Sequence, residues 1–292
     1  MPVAILAAVL AGACFALAGV LQQRAASARP SREAMSVRLL GRLARDRTWL
    51  CGIGFAVGAY GFQMLALAFG PLALVQPLIV TELVFAIPLS VHLNRLRMGA
   101  REWFGAFAVA GGLALALVAA DPRGGDKPVP LGEWLLTLAA VGAALVLALA
   151  ASRFAGEMPR ASLIALAAGL VMGTQSVLLA ATVSKLEKGI VPLFTTWHTY
   201  ALVIASVGGL VLIQSAFQAG PLAATMPVID SAEPVIAVTL GILLFDEQIR
   251  VGPVWTSLSV LGIAILLTGI AVLDTSPLLQ ALHRQEIARR PA

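Results

Sequence analysis

The chain has 292 residues, 59% of them apolar and 12% charged. A soluble domain of this size carries roughly 25% charge, so the composition excludes water as the solvent for most of the surface. The net charge of +5 does not point to nucleic acid, because the positive residues sit in short runs between apolar segments, where membrane loops carry them.

A spanning helix needs about 20 mostly apolar residues. The first such segment, residues 2–22, has no basic stretch ahead of it, so it is expected to be a retained helix rather than a cleaved signal peptide. Cys14 and Cys51 form neither a disulfide framework nor a metal spacing, and both are expected to be inert core thiols. The basic stretch 24–48 follows. Within it Ser31 is placed to cap a short helix with Glu33 in its first turn. Val37, Leu40, Leu43 and Ala44 then fall on one side, with Arg38, Arg42 and Arg45 opposite. That pattern fits an interfacial helix on an anionic inner leaflet, and a disordered basic loop is the alternative.

Eight more segments fit a span: 49–69, 71–93, 103–120, 134–151, 161–184, 195–215, 221–244 and 253–273. The expectation is an all-α, polytopic transmembrane bundle of about nine spans in one integral membrane domain, 1–292. Its first half is roughly 1–120, its second half roughly 132–273, and 274–292 is a tail. Gly54-x3-Gly58 and Gly169-x3-Gly173 are expected to be close-packing surfaces. With the N-terminus outside, fifteen Lys and Arg residues fall on the cytoplasmic side, seven of them between Arg24 and Arg47, and five fall outside. That bias predicts a multi-pass plasma-membrane protein with its C-terminus in the cytoplasm.

The halves repeat. Gly-Pro-Leu-Ala occurs at 70–73 and again at 220–223, an offset of 150 residues. At that offset Pro77 meets Pro227, Thr81 meets Ser231 and Gly112 meets Gly262. One residue further, Glu82 meets Glu233 and Val84 meets Val235. The third and eighth segments are five crossings apart, so the repeat is inverted, with a pseudo-two-fold axis in the membrane plane. Alternating-access transporters use this plan.

The stretches Ala-Leu-Ala-Phe-Gly-Pro-Leu-Ala-Leu-Val-Gln-Pro (66–77) and Gly-Pro-Leu-Ala-Ala-Thr-Met-Pro (220–227), the latter followed by Glu-Pro-Val-Ile-Ala-Val and Leu-Leu-Phe-Asp-Glu, resemble the drug/metabolite transporter superfamily, nearest its EamA-like branch. The resemblance implies two five-helix repeats. Here the basic stretch 24–48 stands where the first half would have another span, giving four helices plus five. That count resembles NIPA-type magnesium transporters, which implies a cation substrate.

Three carboxylates lie near predicted helix centres without a Lys or Arg at the same depth: Glu82, Asp230 and Glu233. A central acid costs about 2.5–3.5 kcal/mol on insertion, while each Leu, Ile, Phe or Val returns about 0.3–0.6 kcal/mol. Segment 71–93 has about a dozen such residues against one Glu and inserts alone. Segment 221–244 has about ten against two acids and two prolines and needs neighbours, water or a cation. Acids kept at that cost mark a substrate- or cation-binding site by default, the alternative being protonated acids bonded to neighbouring helices. Thr81, Ser231 and Gln76 are placed to join them. Pro77, Pro227 and Pro234 are candidate helix breaks that free carbonyls for a cation, or simple kinks. Gln63, Gln175, Thr196 and Gln214 line a cavity or join helices. Gln22, Gln23 and His198 read as boundary residues, and Asp246 and Glu247 as water-exposed.

No hydrolase, zinc-protease, P-loop or dinucleotide motif is present, which argues against an enzyme and calls for no cofactor. The expected function is a secondary transporter or facilitator moving a small metabolite or cation by alternating access. A magnesium or other divalent-cation transporter is the alternative. A membrane scaffold and a lipid-modifying enzyme are the rivals from other classes. The expected partners are the substrate and the lipid bilayer, with a homodimer compatible and nucleic acid excluded.

Overall fold

The computed structural model describes residues 2–29, 36–69, 75, 78–79, 81–121, 129–183, 185, 191–278 and 281–282. The helices, in chain order, are α1 (Pro2–Ser27), α2 (Val37–Leu43), α3 (Arg47–Phe69), α4 (Glu82–Leu93), α5 (Ala100–Ala120), α6 (Leu131–Phe154), α7 (Glu157–Val183), α8 (Val191–Thr195), α9 (Trp197–Ala219), α10 (Leu222–Phe245) and α11 (Pro253–Asp274). Eight of them, α1, α3, α5, α6, α7, α9, α10 and α11, are long and apolar enough to cross a membrane. The outward surface is apolar: Phe154 is 92% exposed, and Leu136 and Ile204 project almost as fully. Water would penalise so continuous an apolar surface, and lipid does not. The chain is an all-helical membrane protein.

The described helix of segment 71–93 is α4, with 12 residues. At 1.5 Å per residue it is about 18 Å long, less than a bilayer core. Gln76, Pro77, Ser31 and Glu33 lie outside the described residues. Helix α10 runs unbroken through Pro227 and Pro234, which corrects their reading as helix breaks. Each proline still removes one backbone donor. Ser231 Oγ donates to the Pro227 carbonyl at 2.5 Å, so a side chain supports the turn.

Two helix triplets recur. α1 packs on α3 and α4, and α7 packs on α9 and α10; α4 then meets α5 as α10 meets α11. The helices α5 and α11 lie antiparallel in close contact. A Cβ on Gly112 would sit 2.6 Å from the Gly262 carbonyl, and one on Gly262 would sit 2.7 Å from the Gly112 carbonyl. Both ends of this pair are clasped. Ser276 Oγ donates to Glu102 at one end. At the other, Arg250 pairs with Asp121 at 2.5 Å and stacks over Trp255.

Several local expectations change. Helix α2 exists, but its inward residues are Leu39 and Leu43, while Val37 is 69% exposed. It docks on α1 and α9 rather than lying free on a leaflet, because a Leu pair four apart fits the groove between those helices. Gln22 and Gln23 near the end of α1 are buried in the bundle, and Gln214 Nε2 donates to Gln22 Oε1 at 2.7 Å and so joins α9 to α1. Gly169 and Gly173 do make close contacts, whereas a Cβ on Gly54 or Gly58 would meet nothing within 4 Å. Cys51 is exposed. Glu247 folds back on Gly241 and is half-buried, and that burial pushes its carboxyl up.

Candidate substrate site

Helix α4 opens at Glu82, so the carboxylate sits at the positive end of that helix's dipole. The approach that places it is tight. A Cβ on Gly12 of α1 would lie 3.1 Å from the Ile79 carbonyl and 3.3 Å from the Glu82 nitrogen. In the other half Gly169 of α7 plays the matching part, 3.2 Å from the Ile229 carbonyl and 3.4 Å from the Glu233 nitrogen. Each half therefore presses its acid-bearing turn against a glycine on its neighbouring helix, where any side chain would hold the two backbones apart.

Helices α4 and α10 pack on each other, and Glu82 lies within electrostatic reach of both Asp230 and Glu233. Asp230 Oδ2 is buried without a hydrogen-bond partner among the described residues. Glu233 Oε1 accepts only a long bond, 3.4 Å, from Ser176 Oγ, a hydroxyl that also donates to the Met172 carbonyl. Among the described residues no Lys or Arg pairs with any of the three. Pro234 has no N–H for the Asp230 carbonyl, so that residue offers two under-used oxygens.

Thr81 and Ser231 stand beside the acids, but their hydroxyl protons are spent on their own helices, to the carbonyls of Leu78 and Pro227. Each keeps only its oxygen lone pairs for a ligand. Tyr60 of α3 also lies within reach of Glu82 and Glu233, with its ring edge-on to Phe15 at 5.1 Å. Sequence reading did not find Tyr60, Ser176 or Gly12, because each lies on a helix far from the acids in the chain. Among the described residues no three acids, histidines or cysteines gather closely enough to hold a metal ion. Gln214 joins helices rather than lining a cavity, and Thr196 Oγ1 bonds His198 Nδ1 at 2.7 Å.

A cavity of about 600 Å³ opens where α1 and α4 end and α3 begins. Its lining includes Gln23, Arg24, Thr48, Ser90, Asn94 and Arg95. Asp46 borders it and is fully engaged: Arg29 pairs with it at 2.5 Å, and it caps α3 by accepting from the Thr48 nitrogen at 2.8 Å. Burial pushes this carboxyl up, yet the backbone donors of Trp49 and Thr48 together with Arg29 outweigh it and hold Asp46 below its ordinary 3.8.

The chain is 30% identical over 234 residues to "Uncharacterized protein Cgl0250/cg0304" of Corynebacterium glutamicum. The match covers 78% of this chain and 80% of that protein. The chain belongs to that protein's family. The family is therefore defined over most of the helical bundle, including at least one of the two acid-bearing helices. No family model matches the chain, and no solved structure matches it.

Proposed function

We propose that the protein is a secondary transporter or facilitator of the drug/metabolite type, moving a small metabolite or cation by alternating access. One observation carries this reading. Glu82 on α4 lies within electrostatic reach of Asp230 and Glu233 on α10, one oxygen of Asp230 is buried without a hydrogen-bond partner among the described residues, and no Lys or Arg among the described residues pairs with any of the three. A scaffold has no use for acids kept in the apolar bundle at such cost. The sequence carries no hydrolase, zinc-protease, P-loop or dinucleotide motif, which favours transport over catalysis.

The inverted repeat belongs to this proposal. Support comes from the recurring helix triplets, the antiparallel α5–α11 pair centred on Gly112 and Gly262, and the matching glycines against Glu82 and Glu233. A further match stands at the helix ends: Arg95, with φ 57°, closes the turn after α4, and Asp246, with φ 59°, closes α10 at the corresponding place. The charge bias supports a plasma-membrane location with the N-terminus outside and the C-terminus in the cytoplasm.

The divalent-cation reading draws on the acids and on the NIPA resemblance. It is the less favoured of the two, because no three ligating groups converge among the described residues. The test is uptake and efflux in proteoliposomes against metals, amino acids and cationic dyes, with and without a pH gradient. Saturable transport of one class, abolished in Glu82→Gln and Asp230→Asn protein that remains folded, supports the proposal. Transport at the native rate in both variants refutes the site.

A further inference from the structure

Helix α1 carries Arg24 in its last turn, and Arg95 follows the end of α4. Both residues are exposed, and both line the cavity of about 600 Å³. Asp46 lines it too, but its charge is matched by Arg29 at 2.5 Å. Among the described residues no carboxylate pairs with Arg24 or Arg95. The cavity wall therefore carries the two arginine charges without compensation.

Helix ends do not account for these charges. A helix C-terminus favours a nearby cation, yet the last carbonyls here already have donors. Ser27 Oγ donates to the Arg24 carbonyl at 3.2 Å, and Asn94 Nδ2 donates to the Ser90 carbonyl at 2.9 Å. The Arg95 and Leu96 nitrogens donate to the His92 and Val91 carbonyls at 2.9 and 3.1 Å. Neither guanidinium is needed to close its helix. Arg95 also stands in a backbone state that disfavours it. Its φ is 57°, at the left-handed position just after a helix where Gly is usual. The turn holds an arginine on the cavity wall in spite of that strain.

We propose that this cavity is a binding site for a phosphate group, held by the guanidinium groups of Arg24 and Arg95. The depth of the cavity selects the anion. Helices α1 and α3 are long enough to cross the membrane, so a cavity at the end of one and the start of the other lies at headgroup level. There the bilayer presents its own phosphates. The planar fork of arginine matches phosphate oxygens, and basic pockets between membrane helices take anionic headgroups. Thr48 and Ser90 add hydroxyls to the wall, while Val20 and Leu93 give it an apolar side. The volume is in the range of small-ligand sites, about 300–1,000 Å³. An acidic phospholipid and a free phosphate ester share this chemistry. The site is separate from the three acids and does not depend on the transporter reading.

The test uses the full-length protein in dodecyl maltoside micelles at fixed ionic strength, with binding read by microscale thermophoresis. Sodium phosphate and dioctanoyl phosphatidylglycerol are the probes, and dioctanoyl glycerol, which lacks the phosphate, is the control. Saturable binding of a phosphate probe is expected. Arg24→Gln and Arg95→Gly should each weaken it roughly tenfold or more, the loss of a charge-assisted bond. Arg160→Gln, at an exposed arginine outside the cavity, should weaken it less than about twofold. Binding of the lipid alone assigns the site to a headgroup, and binding of sodium phosphate as tightly as the lipid assigns it to a soluble phosphate ester. Gly relieves the strain at position 95, so Arg95→Gly should melt at no lower temperature than the native protein, and its lost affinity then reports the missing charge rather than a lost fold. Native affinity in both cavity variants overturns the site. So does an equal loss in Arg160→Gln, dioctanoyl glycerol binding as tightly as phosphatidylglycerol, or no saturable binding of either phosphate probe.

Discussion

Adjacent glycines on α5 offer a sharp test of the α5–α11 contact. A Cβ on Gly112 would lie 2.5 Å from the Leu266 nitrogen and 2.6 Å from the Gly262 carbonyl, whereas one on Gly111 meets nothing within 4 Å. Carbon contacts are comfortable at about 3.5–4 Å, so Gly112→Ala must part the two backbones by ~1 Å. Both substitutions gain the same helix propensity, about 1 kcal/mol for Ala over Gly. That gain cancels when the two variants are compared, leaving the overpacking cost of about 1–3 kcal/mol. Since about 1.4 kcal/mol is tenfold in an equilibrium constant, Gly112→Ala should have an unfolding constant roughly 5- to 150-fold larger than Gly111→Ala. Gly262→Ala should behave like Gly112→Ala. The double variant should cost less than the sum, because the helices part only once. The assay is equilibrium unfolding in mixed detergent micelles, followed by helical circular dichroism. Equal stability of Gly111→Ala and Gly112→Ala would refute the close crossing, and with it the pairing that supports the inverted repeat.

For the acids, binding of a cation to a cluster that holds protons releases them, so transport should slow as pH falls. Glu82→Gln should abolish transport or its pH dependence, while Asp246→Asn, on an exposed left-handed turn that Asn tolerates, should leave both intact. At the end of α2, Asp46→Ala should cost about 1–2 kcal/mol, the sum of a lost cap and a partly exposed ion pair. The folded value of Asp46 lies below its ordinary 3.8, so its contribution is present above that pH and lost as pH falls through the folded value. Thermal melts of native and Asp46→Ala protein should therefore differ at neutral pH and converge in acid; a gap that persists in acid would contradict the bond pattern. Reporter fusions after Arg47 and after Ala292 should both read cytoplasmic, and a periplasmic signal at Arg47 with a cytoplasmic tail would overturn the expectation of about nine spans.

Hydropathy by itself located the long helices. The segments 49–69, 103–120 and 253–273 begin and end within three residues of α3, α5 and α11. It did so because insertion is a local balance, summed over one segment at a time. The acids were equally legible, since three carboxylates in apolar segments are conspicuous wherever the segments pack. Which way each helix turns was not legible. Lipid is as apolar as a Leu-rich interior, so these helices carry no polar stripe to mark an outer face, and close approach of small residues decides their rotation instead. Gly54 and Gly58 look like a contact and face open space, while Gly12, with no motif around it, seats the turn that carries Glu82. The same reason hid Tyr60, the Gln22–Gln214 bond and the buried Leu39–Leu43 face of α2. Each depends on what the neighbouring helix presents at that height, a relation between segments as far apart as 192 residues. The sequence alone therefore determined that the chain is a helical membrane bundle with uncompensated acids. Only the tertiary structure decided that α4 packs on α10 and brings Glu82 within electrostatic reach of Asp230 and Glu233, because that follows from helix rotation and packing.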